Sequence, residues 1–311
     1  MEKNLDVLVI GRNCVDYIAV IDRFPEEDQK MPLIERRMEG GGQGGTSACC
    51  VAGLGGKVAL AGNIGNDADG RFALQRLKDF HVNTDSVQIL DSAPTPVAYL
   101  LVNRTNASRT IIYESSRLPK FEIQPELAER ILHAKALSLD PQTTYLAKVV
   151  KQFSTAGIRI VYDCERWLDH VKDMMEAADY FIPSSVFFKS KPKMFKSPSL
   201  QENILALKQM VHGQLIVTHG AEGAFYPYQE RLYHVPAPLV AALDTTGAGD
   251  NFHGAFALAI SKGLDLHAAV KMAVAVASLS CRGYGGREAL PGWEEAHALS
   301  RQLRDESISC V

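Results

Sequence analysis

Short apolar runs, each followed by a helix-like segment, recur along the chain and constrain its fold more than any other feature. Residues 6–10 (DVLVI), 136–139 (ALSL), 158–162 (IRIVY) and 215–218 (LIVT) have the length and the mostly apolar character of buried parallel strands. Strands that alternate with helices build a parallel sheet with right-handed crossover connections. We therefore expect an α/β fold that binds its ligands at the carboxyl ends of the strands.

The overall composition argues against several classes of protein. The chain has 311 residues, of which 46% are hydrophobic and 22% charged, and no linker divides it, so a single domain over residues 1–311 is expected. A formal net charge of −3 argues against a nucleic-acid partner. No apolar run approaches the roughly 20 residues of a membrane helix. The first residues lack the shape of a signal peptide, so we expect a cytoplasmic location.

The cysteines carry no spacing that is typical of a metal or redox site. The six are Cys14, Cys49, Cys50, Cys164, Cys281 and Cys310, and no two of them form a C-x-x-C pair. Free cysteine packs as a small hydrophobic residue, so we expect buried, reduced thiols.

Residues 243–257 (LDTTGAGDNFHGAFA) combine a glycine-bearing turn with the start of a small-residue helix. Gly247, Ala248 and Gly249 let the backbone turn tightly, and the helix start adds unpaired N–H donors and the positive end of the helix dipole. Such a turn is typical of a phosphate pocket. Asp250 at its lip can accept a proton from a hydroxyl that attacks phosphorus. An ordinary N-capped helix is the alternative interpretation of these residues alone.

The same stretch resembles the C-terminal signature of the ribokinase-like (PfkB) sugar kinases. In that family the aspartate at the Asp250 position is the catalytic base, and the preceding small residues, here Gly247, Ala248 and Gly249, form an anion hole for the transferred phosphoryl group. The resemblance also implies that Asp244 and Thr246 help to bind a monovalent cation, K⁺.

The resemblance extends from about residue 5 to about residue 300 and implies a fold. It is a ribokinase-like three-layer α/β/α fold with a mostly parallel central sheet and a small β-sheet lid. The lid strands would come from residues of about 15–40 and 96–115. In the family such lids often also make the dimer contact, so we expect a homodimer through the lid.

A second glycine-rich segment, residues 40–45, satisfies the G-x-G-x-x-G pattern and is a candidate nicotinamide site. Three features argue against it: a poor buried strand precedes it, the glycines do not end the first βαβ strand, and no acidic residue closes a second strand about 20 residues later. Binding of ATP without binding of NAD(H) would remove the oxidoreductase alternative. The segment is more similar to the N-terminal signature of the sugar kinases, in which paired glycines let the sugar approach the backbone.

The resemblance assigns the acceptor sugar to a set of residues spread along the chain. They are Asn13, Asp16, Gly41, Gly42, Gln43, Thr46, Asp140 and Arg287. Ribokinase has Lys where Gln43 stands, and many members have Asn where Thr46 stands, so a ribose substrate is in doubt. Arg287 ends a G-G-R segment similar to that of the sulfofructose kinases, where it would pair with an anionic substituent. His253 also departs, because many members have Asn there.

A nucleotide site is implied by a T-x-G-x-x-G turn that resembles the family's ATP site. It is formed by Thr218, Gly220, Ala221 and Gly223. Family members usually carry Asn-x-x-Glu after the preceding strand, where it helps to organise Mg²⁺. Residues 184–187 read SSVF here, so Mg²⁺ is expected to be held by the ATP phosphates and by water.

These features predict an ATP-dependent sugar kinase that transfers the γ-phosphate to a hydroxyl of a carbohydrate or sugar derivative. Ketohexose, 2-keto-3-deoxygluconate and nucleoside acceptors remain open. A catalytically impaired sugar or nucleotide sensor on the same fold is the alternative outside the enzymes. Asp250 favours the kinase, and the missing Asn-x-x-Glu favours the sensor.

Overall fold

The computed structural model describes residues 3–308. The strands of this part of the chain are β1 Leu5–Ile10, β2 Cys14–Ile21, β3 Glu35–Gly41, β4 Val58–Gly65, β5 Asn83–Leu90, β6 Val97–Asn103, β7 Arg109–Tyr113, β8 Ala134–Leu139, β9 Arg159–Cys164, β10 Tyr180–Pro183, β11 Gln214–Leu215, β12 Val217–Thr218, β13 Ala224–Tyr228, β14 Arg231–Val235 and β15 Glu306–Ile308. The α-helices are α1 Gln43–Gly53, α2 Ala68–Asp79, α3 Pro125–Leu132, α4 Ala147–Thr155, α5 Val171–Ala177, α6 Val186–Lys189, α7 Leu200–Lys208, α8 Ala248–Ser261, α9 Leu266–Ser280 and α10 Trp293–Ser300.

Seven strands form the central sheet in the order β11-β10-β9-β8-β1-β4-β5. Each neighbouring pair in this order is parallel. The prediction of a mostly parallel sheet is therefore confirmed, and β1, β8 and β9 overlap the apolar runs that predicted them. The carboxyl ends of all seven strands consequently lie at one edge, where the candidate site residues gather.

The residues of β1 show why the molecule has three layers. Val7 and Val9 pack into the hydrophobic cluster that contains α1, α8 and α9. Leu8 and Ile10 point to the other face, into the cluster formed with α4, α5 and α7. Successive side chains of a strand face opposite ways, so an uninterrupted apolar strand needs helices on both sides.

A smaller sheet, the lid sheet, has the order β3-β2-β6-β7. The outer pairs are antiparallel, whereas β2 and β6 run parallel. The strand β7 is exposed at every residue, and Ile111, Ile112 and Tyr113 are among the exposed large hydrophobic side chains. Because successive side chains of a strand face opposite ways, β7 exposes apolar side chains on both faces of the lid sheet.

The apolar run 215–218 was predicted as one strand, and this prediction is wrong. The structure divides it at Ile216 into β11, which pairs with β10 in the central sheet, and β12, which pairs with β13. The second part belongs to an antiparallel sheet in the order β12-β13-β14-β15. An apolar run carries no signal that distinguishes one sheet from the next, so the division is set by pairing partners far along the chain.

Candidate active site

Gly247 is the N-cap residue of α8 and has a positive φ of 72°. A side chain there would place its Cβ 2.5 Å from the Cα of Gly286, so the turn accepts only glycine. The N–H of Asn251 donates to the carbonyl of Gly247 at 2.8 Å, which closes the first turn. The N–H groups of Gly249 and Asp250 fall inside this turn, where an α-helix has no partners of its own for them. The turn therefore presents the kind of backbone N–H groups that a phosphate-binding helix start uses.

Asp250 lies in the first turn of α8 and is partly buried. Burial raises its pKa to about 8, with the negative charges of Asp163 and Asp16 adding to the shift and the charges of His253 and Arg109 opposing it. A carboxylate with a pKa near the working pH is a better proton acceptor than an ordinary aspartate. Asp250 is thus suited to the role of a general base.

The lid sheet reaches the anion-hole turn through Arg109, at the start of β7. Its Nη1 donates to Thr245 Oγ1 at 2.7 Å, and Thr245 Oγ1 donates to the carbonyl of Ala107 at 3.4 Å. Arg109 falls within residues 96–115, which were predicted to supply lid strands. The contact joins two segments that only the folded chain brings together.

Asp244 is completely buried beside the same turn. Its Oδ1 accepts from the Thr246 N–H at 2.9 Å and the Thr246 hydroxyl at 2.8 Å, and its Oδ2 accepts from the Gly285 N–H at 2.8 Å. Within residues 3–308, no basic side chain forms an ion pair with it. A buried carboxylate without a basic partner fits a bound monovalent cation, so Asp244 and Thr246 can hold K⁺.

The acceptor side of the cleft is built on β2 and β3. Asp16 and Cys14 share one face of β2, and the Cys14 thiol donates to Asp16 Oδ1 at 3.5 Å. A Cβ on Gly41 would collide with the Asp16 carboxylate, so only glycine leaves that carboxylate room. Burial raises the pKa of Asp16 to about 6, with the charge of Arg287 opposing the shift. Cys14 was missed, although its spacing of two from Asp16 in a strand is the signal that finds it.

Arg287 joins several of the predicted acceptor residues from beneath. Its Nη2 donates to the Gly41 carbonyl at 2.6 Å and to Asn13 Oδ1 at 3.3 Å, and its Nε donates to Thr46 Oγ1 at 3.4 Å. Arg287 is 2% exposed, and its Nη1 has no hydrogen-bond partner in the described structure. The structure therefore brings Asn13 and Thr46 to Arg287. Arg287 and Asp16 lie on opposite faces of β3, since a Cβ on Gly40 would meet Arg287 and one on Gly41 would meet Asp16.

Asp140 follows β8 and is buried. It accepts from the N–H of Arg12 at 2.6 Å and from that of Gln142 at 3.0 Å, while burial raises its pKa to about 6. It borders a cavity of about 240 Å³ that Lys120 and Tyr145 also line. Asp140 is therefore open to this cavity and is not in hydrogen-bond contact with Asp16.

The predicted acceptor residues Gly42 and Gln43 lie at the start of α1. Gly42 has a positive φ of 85°, and a Cβ there would lie 2.5 Å from the carbonyl oxygen of Arg12. Gln43 is the first helical residue and is partly buried. The glycine segment therefore ends at the start of α1, which is a second helix N-terminus at the cleft.

The predicted nucleotide turn follows β12. The carbonyl of Gly223 accepts from the N–H of His219 at 2.7 Å, and Gly223 has a φ of 89°, which requires glycine. The residues that were expected to contact ATP, Thr218, Gly220, Ala221 and Gly223, therefore share one tight turn. Ser185 docks on it, because its N–H donates to the Thr218 carbonyl at 2.8 Å. Phe187, at the last position of the missing Asn-x-x-Glu, is completely buried in the core.

A base beside an anion-binding helix start, on an α/β fold with a lid, is the arrangement of a phosphotransferase that acts on a hydroxyl group. The pfkB family carbohydrate kinase model matches residues 4–293. The chain belongs to the pfkB family of carbohydrate kinases. No helix among residues 3–308 is long and apolar enough to cross a membrane.

Relatives of known activity match over nearly their full length. Deoxyribokinase of Salmonella typhi is 28% identical over 302 residues, which cover 94% of this chain and 97% of that protein. Ribokinase of Lactococcus lactis is 28% identical over 304 residues, with coverage of 96% and 97%. Ribokinase of Arabidopsis thaliana, complexed with ribose and ATP, superposes with a TM-score of 0.79 at 22% identity, with coverage of 97% and 99%. The chain is therefore a sugar or nucleoside kinase of this family with a ribokinase fold.

Proposed function

We propose that the protein is an ATP-dependent sugar kinase that transfers the γ-phosphate of ATP to a hydroxyl of a carbohydrate or sugar derivative. The observation that carries the proposal is Asp250, which stands in the first turn of α8 with its pKa raised to about 8. In that position it can remove the hydroxyl proton, while the adjoining N–H groups stabilise the negative charge of the transferred phosphoryl group.

The other predicted residues take roles around this centre. Asp16 and Gly41 offer the acceptor a carboxylate and an open stretch of backbone on β2 and β3. Gly42 and Gln43 add the start of α1, and Asp140 adds a second carboxylate from the end of β8. Arg287 fixes Asn13, Thr46 and the Gly41 carbonyl relative to one another. The residues Thr218, Gly220, Ala221 and Gly223 would bind ATP, as the likeness to an ATP-bound ribokinase supports.

Two ions belong to the proposal. Asp244 and Thr246 would hold a monovalent cation, which adds positive charge beside the anion hole. Mg²⁺ bound to the ATP phosphates would supply charge neutralisation during transfer. Residue 187 is a buried phenylalanine, so no glutamate at that position can orient the waters of that ion.

We also propose that residues 1–311 form one kinase domain, and that two copies associate through the lid sheets. The exposed apolar side chains of Ile111, Ile112 and Tyr113 support the association, since exposed apolar surface at a sheet edge is stabilised by a partner. The described cysteines are all buried and free, which supports a reducing compartment such as the cytoplasm. Cys310 lies outside the described residues.

The test is ADP release from ATP and Mg²⁺, with and without K⁺, over a panel of pentoses, deoxypentoses, ketohexoses, sulfofructose and nucleosides. The expected result is one acceptor that raises turnover well above ATP hydrolysis and a D250N variant that binds ATP but transfers nothing. Transfer by D250N at the wild-type rate would contradict the role of Asp250.

A sensor that binds sugar or nucleotide without turnover is the second candidate. The buried Phe187 favours it, because an organising ligand of Mg²⁺ is lost at that position. Binding of ATP and a sugar by calorimetry, with no ADP formed from any acceptor in the panel, would replace the kinase with the sensor.

A further inference from the structure

His253 is buried in α8, and both of its ring nitrogens face hydrogen-bond acceptors. Its Nδ1 lies 2.6 Å from the carbonyl oxygen of Gly249, one turn earlier in the same helix. Its Nε2 lies 3.1 Å from the carbonyl oxygen of Ile182, at the end of β10, and 3.4 Å from Asp163 Oδ1, at the end of β9. The His253 side chain is 6% exposed and that of Asp163 13% exposed, so water is a poor substitute for these contacts.

The contacts of His253 require one proton more than a neutral imidazole carries. Carbonyl oxygens only accept hydrogen bonds, and a neutral imidazole has a single N–H. If that N–H donates to Gly249, Nε2 needs a donor, which only a protonated Asp163 can provide. If both nitrogens carry protons, the imidazolium needs an ionised Asp163. Either distribution places one additional proton on the pair and leaves it without net charge.

The charged groups that shift the pKa values of the pair are Asp140, Glu165 and Asp250. Burial raises the pKa of Asp163 well above its usual range, and the charges of Asp140 and Glu165 add to this shift. Burial also lowers the pKa of His253, against the charge of Asp250 on its own helix. Burial thus favours a neutral acid beside a neutral imidazole, whereas the carbonyls of Gly249 and Ile182 favour the imidazolium, which alone can donate to both. The pair holds the additional proton in either distribution.

The Gly249 carbonyl connects the pair to the anion hole. It belongs to the same planar peptide unit as the N–H of Asp250, and the two groups point in opposite directions. An imidazole that fixes the carbonyl therefore also fixes the direction of that N–H toward the cleft. The carbonyl of Ile182 anchors the other side of the ring to the central sheet.

We propose that Asp163 and His253 share one proton and together form a positioning pair that sets the direction of the anion-hole amides in the first turn of α8. The role in transfer rests on the proposed kinase function. The shared proton does not, because it can be observed in the protein without ligands.

The first arm of the test is NMR of protein with ¹⁵N-labelled histidine, without ligands, between about pH 5.5 and 8.5. The signal of His253 is assigned as the one lost in H253Q. We expect its ring nitrogens not to titrate in the wild type and to change in D163A, which removes the proton partner. A His253 that titrates like a free imidazole, or one that D163A leaves unchanged, overturns the pair.

The second arm is kinetic. H253A should lower kcat by about 10–100-fold and leave the acceptor KM within about twofold, since anion-hole groups act mainly in the transition state. D163A should lower kcat similarly, and the double variant no further, because the two residues act as a unit. D163N should recover most of the loss, since its amide N–H can donate to Nε2. Additive losses, or a loss confined to the acceptor KM, overturn the positioning role.

The kinetic arm has an internal control and a clear separation from the kinase proposal. His267 is another histidine in contact with an aspartate, Asp305, at 2.5 Å, but at the start of α9 outside the cleft. H267Q should lower stability and leave kcat unchanged. If the wild type phosphorylates no acceptor, the kinase proposal fails, whereas the NMR arm still decides whether the proton is shared.

Discussion

Helices α1 and α8 begin in the same way and border the same cleft, yet they are equipped for different tasks. Each starts after a glycine with positive φ, Gly42 at 85° and Gly247 at 72°, and neither has a side-chain cap. The first turn of α1 contains no acidic residue, and the buried Arg287 contacts it from beneath. The first turn of α8 contains Asp250.

The two helices also pack closely enough to act as one unit. A Cβ on Gly254 of α8 would lie 2.5 Å from the carbonyl of Ser47 in α1, and the Cys50 thiol donates to the Asn251 carbonyl at 3.3 Å. The same backbone device therefore appears twice, side by side. Under the proposed function, the charge placed next to each helix start would decide whether it holds a ligand or takes part in the reaction.

The largest expected effect is a loss of kcat on substitution of Asp250, the acidic residue that the start of α8 has and the start of α1 lacks. Asp250→Asn should lower kcat on the order of 10³-fold, because a general base contributes about 10²–10⁴-fold, while ATP binding persists. The measurement is kcat at saturating acceptor together with calorimetric ATP binding. Asp265→Asn, at the N-cap of α9, is the matched control, since asparagine caps as well as aspartate. An equal loss in both variants would contradict a special role for α8.

Glycine substitutions compare the two starts directly. Gly247→Ala should lower kcat about 10²-fold through the anion hole, whereas Gly42→Ala should raise the acceptor KM about tenfold, each with a strain cost of about 1–3 kcal/mol. Kinetics and thermal unfolding measure both. Gly263→Ala is the control, because its φ is 81° and nothing lies within 4 Å of its Cβ position. If both cleft variants changed the same kinetic constant, the division of tasks would be wrong.

The role of the Arg287 guanidinium next to α1 can be tested by a conservative substitution. Arg287→Lys should raise the acceptor KM about tenfold and cost about 1–3 kcal/mol of unfolding free energy, because an ammonium cannot reach three oxygens at once. Denaturant unfolding and acceptor titration are the measurements. Arg282→Lys, in an exposed pair with Glu295, should change either quantity little. An unchanged KM would remove Arg287 from the acceptor side.

The smallest expected effect concerns the pH profile. Asp250 must be ionised to accept a proton, so kcat/KM should rise with pH, and the midpoint of the rise should lie at about pH 8. The charge of Arg109 lowers the pKa of Asp250, so Arg109→Gln should move this rise to higher pH, with less effect in ~1 M salt. Arg104→Gln, which removes a pair with Asp22 at the same lid hairpin, is the control. A shift to lower pH would contradict the assigned sign.

The apolar runs of the sequence predicted the central sheet, and the glycine residues marked the two segments that precede α1 and α8. The strand β9 overlaps the predicted apolar run 158–162, because burial on both faces leaves a strong signal. Residues 215–218 were joined in error, since two short apolar strands of different sheets read as one. The strand β15 was not anticipated, because its only support is the edge of β14.

The site was harder to predict than the fold for a physical reason. The anion-hole turn is contiguous and can be read directly, whereas Arg287 meets Asn13 and Thr46 only after folding. The contact of His253 with Asp163 likewise joins α8 to β9. No spacing rule connects residues that distant, so a sequence can suggest each of them and not their meeting.

The parallel pairing of β2 with β6 has a consequence for how the molecule is made. Asp16 pairs with Ala98 across a loop that contains β3, α1, β4, α2 and β5, and of these strands β4 and β5 belong to the central sheet. Closing so long a loop is entropically costly, and it is repaid only once the intervening strands have joined the central sheet. We expect the lid to be acquired late in folding, so the protein should gain its nucleotide-side structure before it can enclose a sugar.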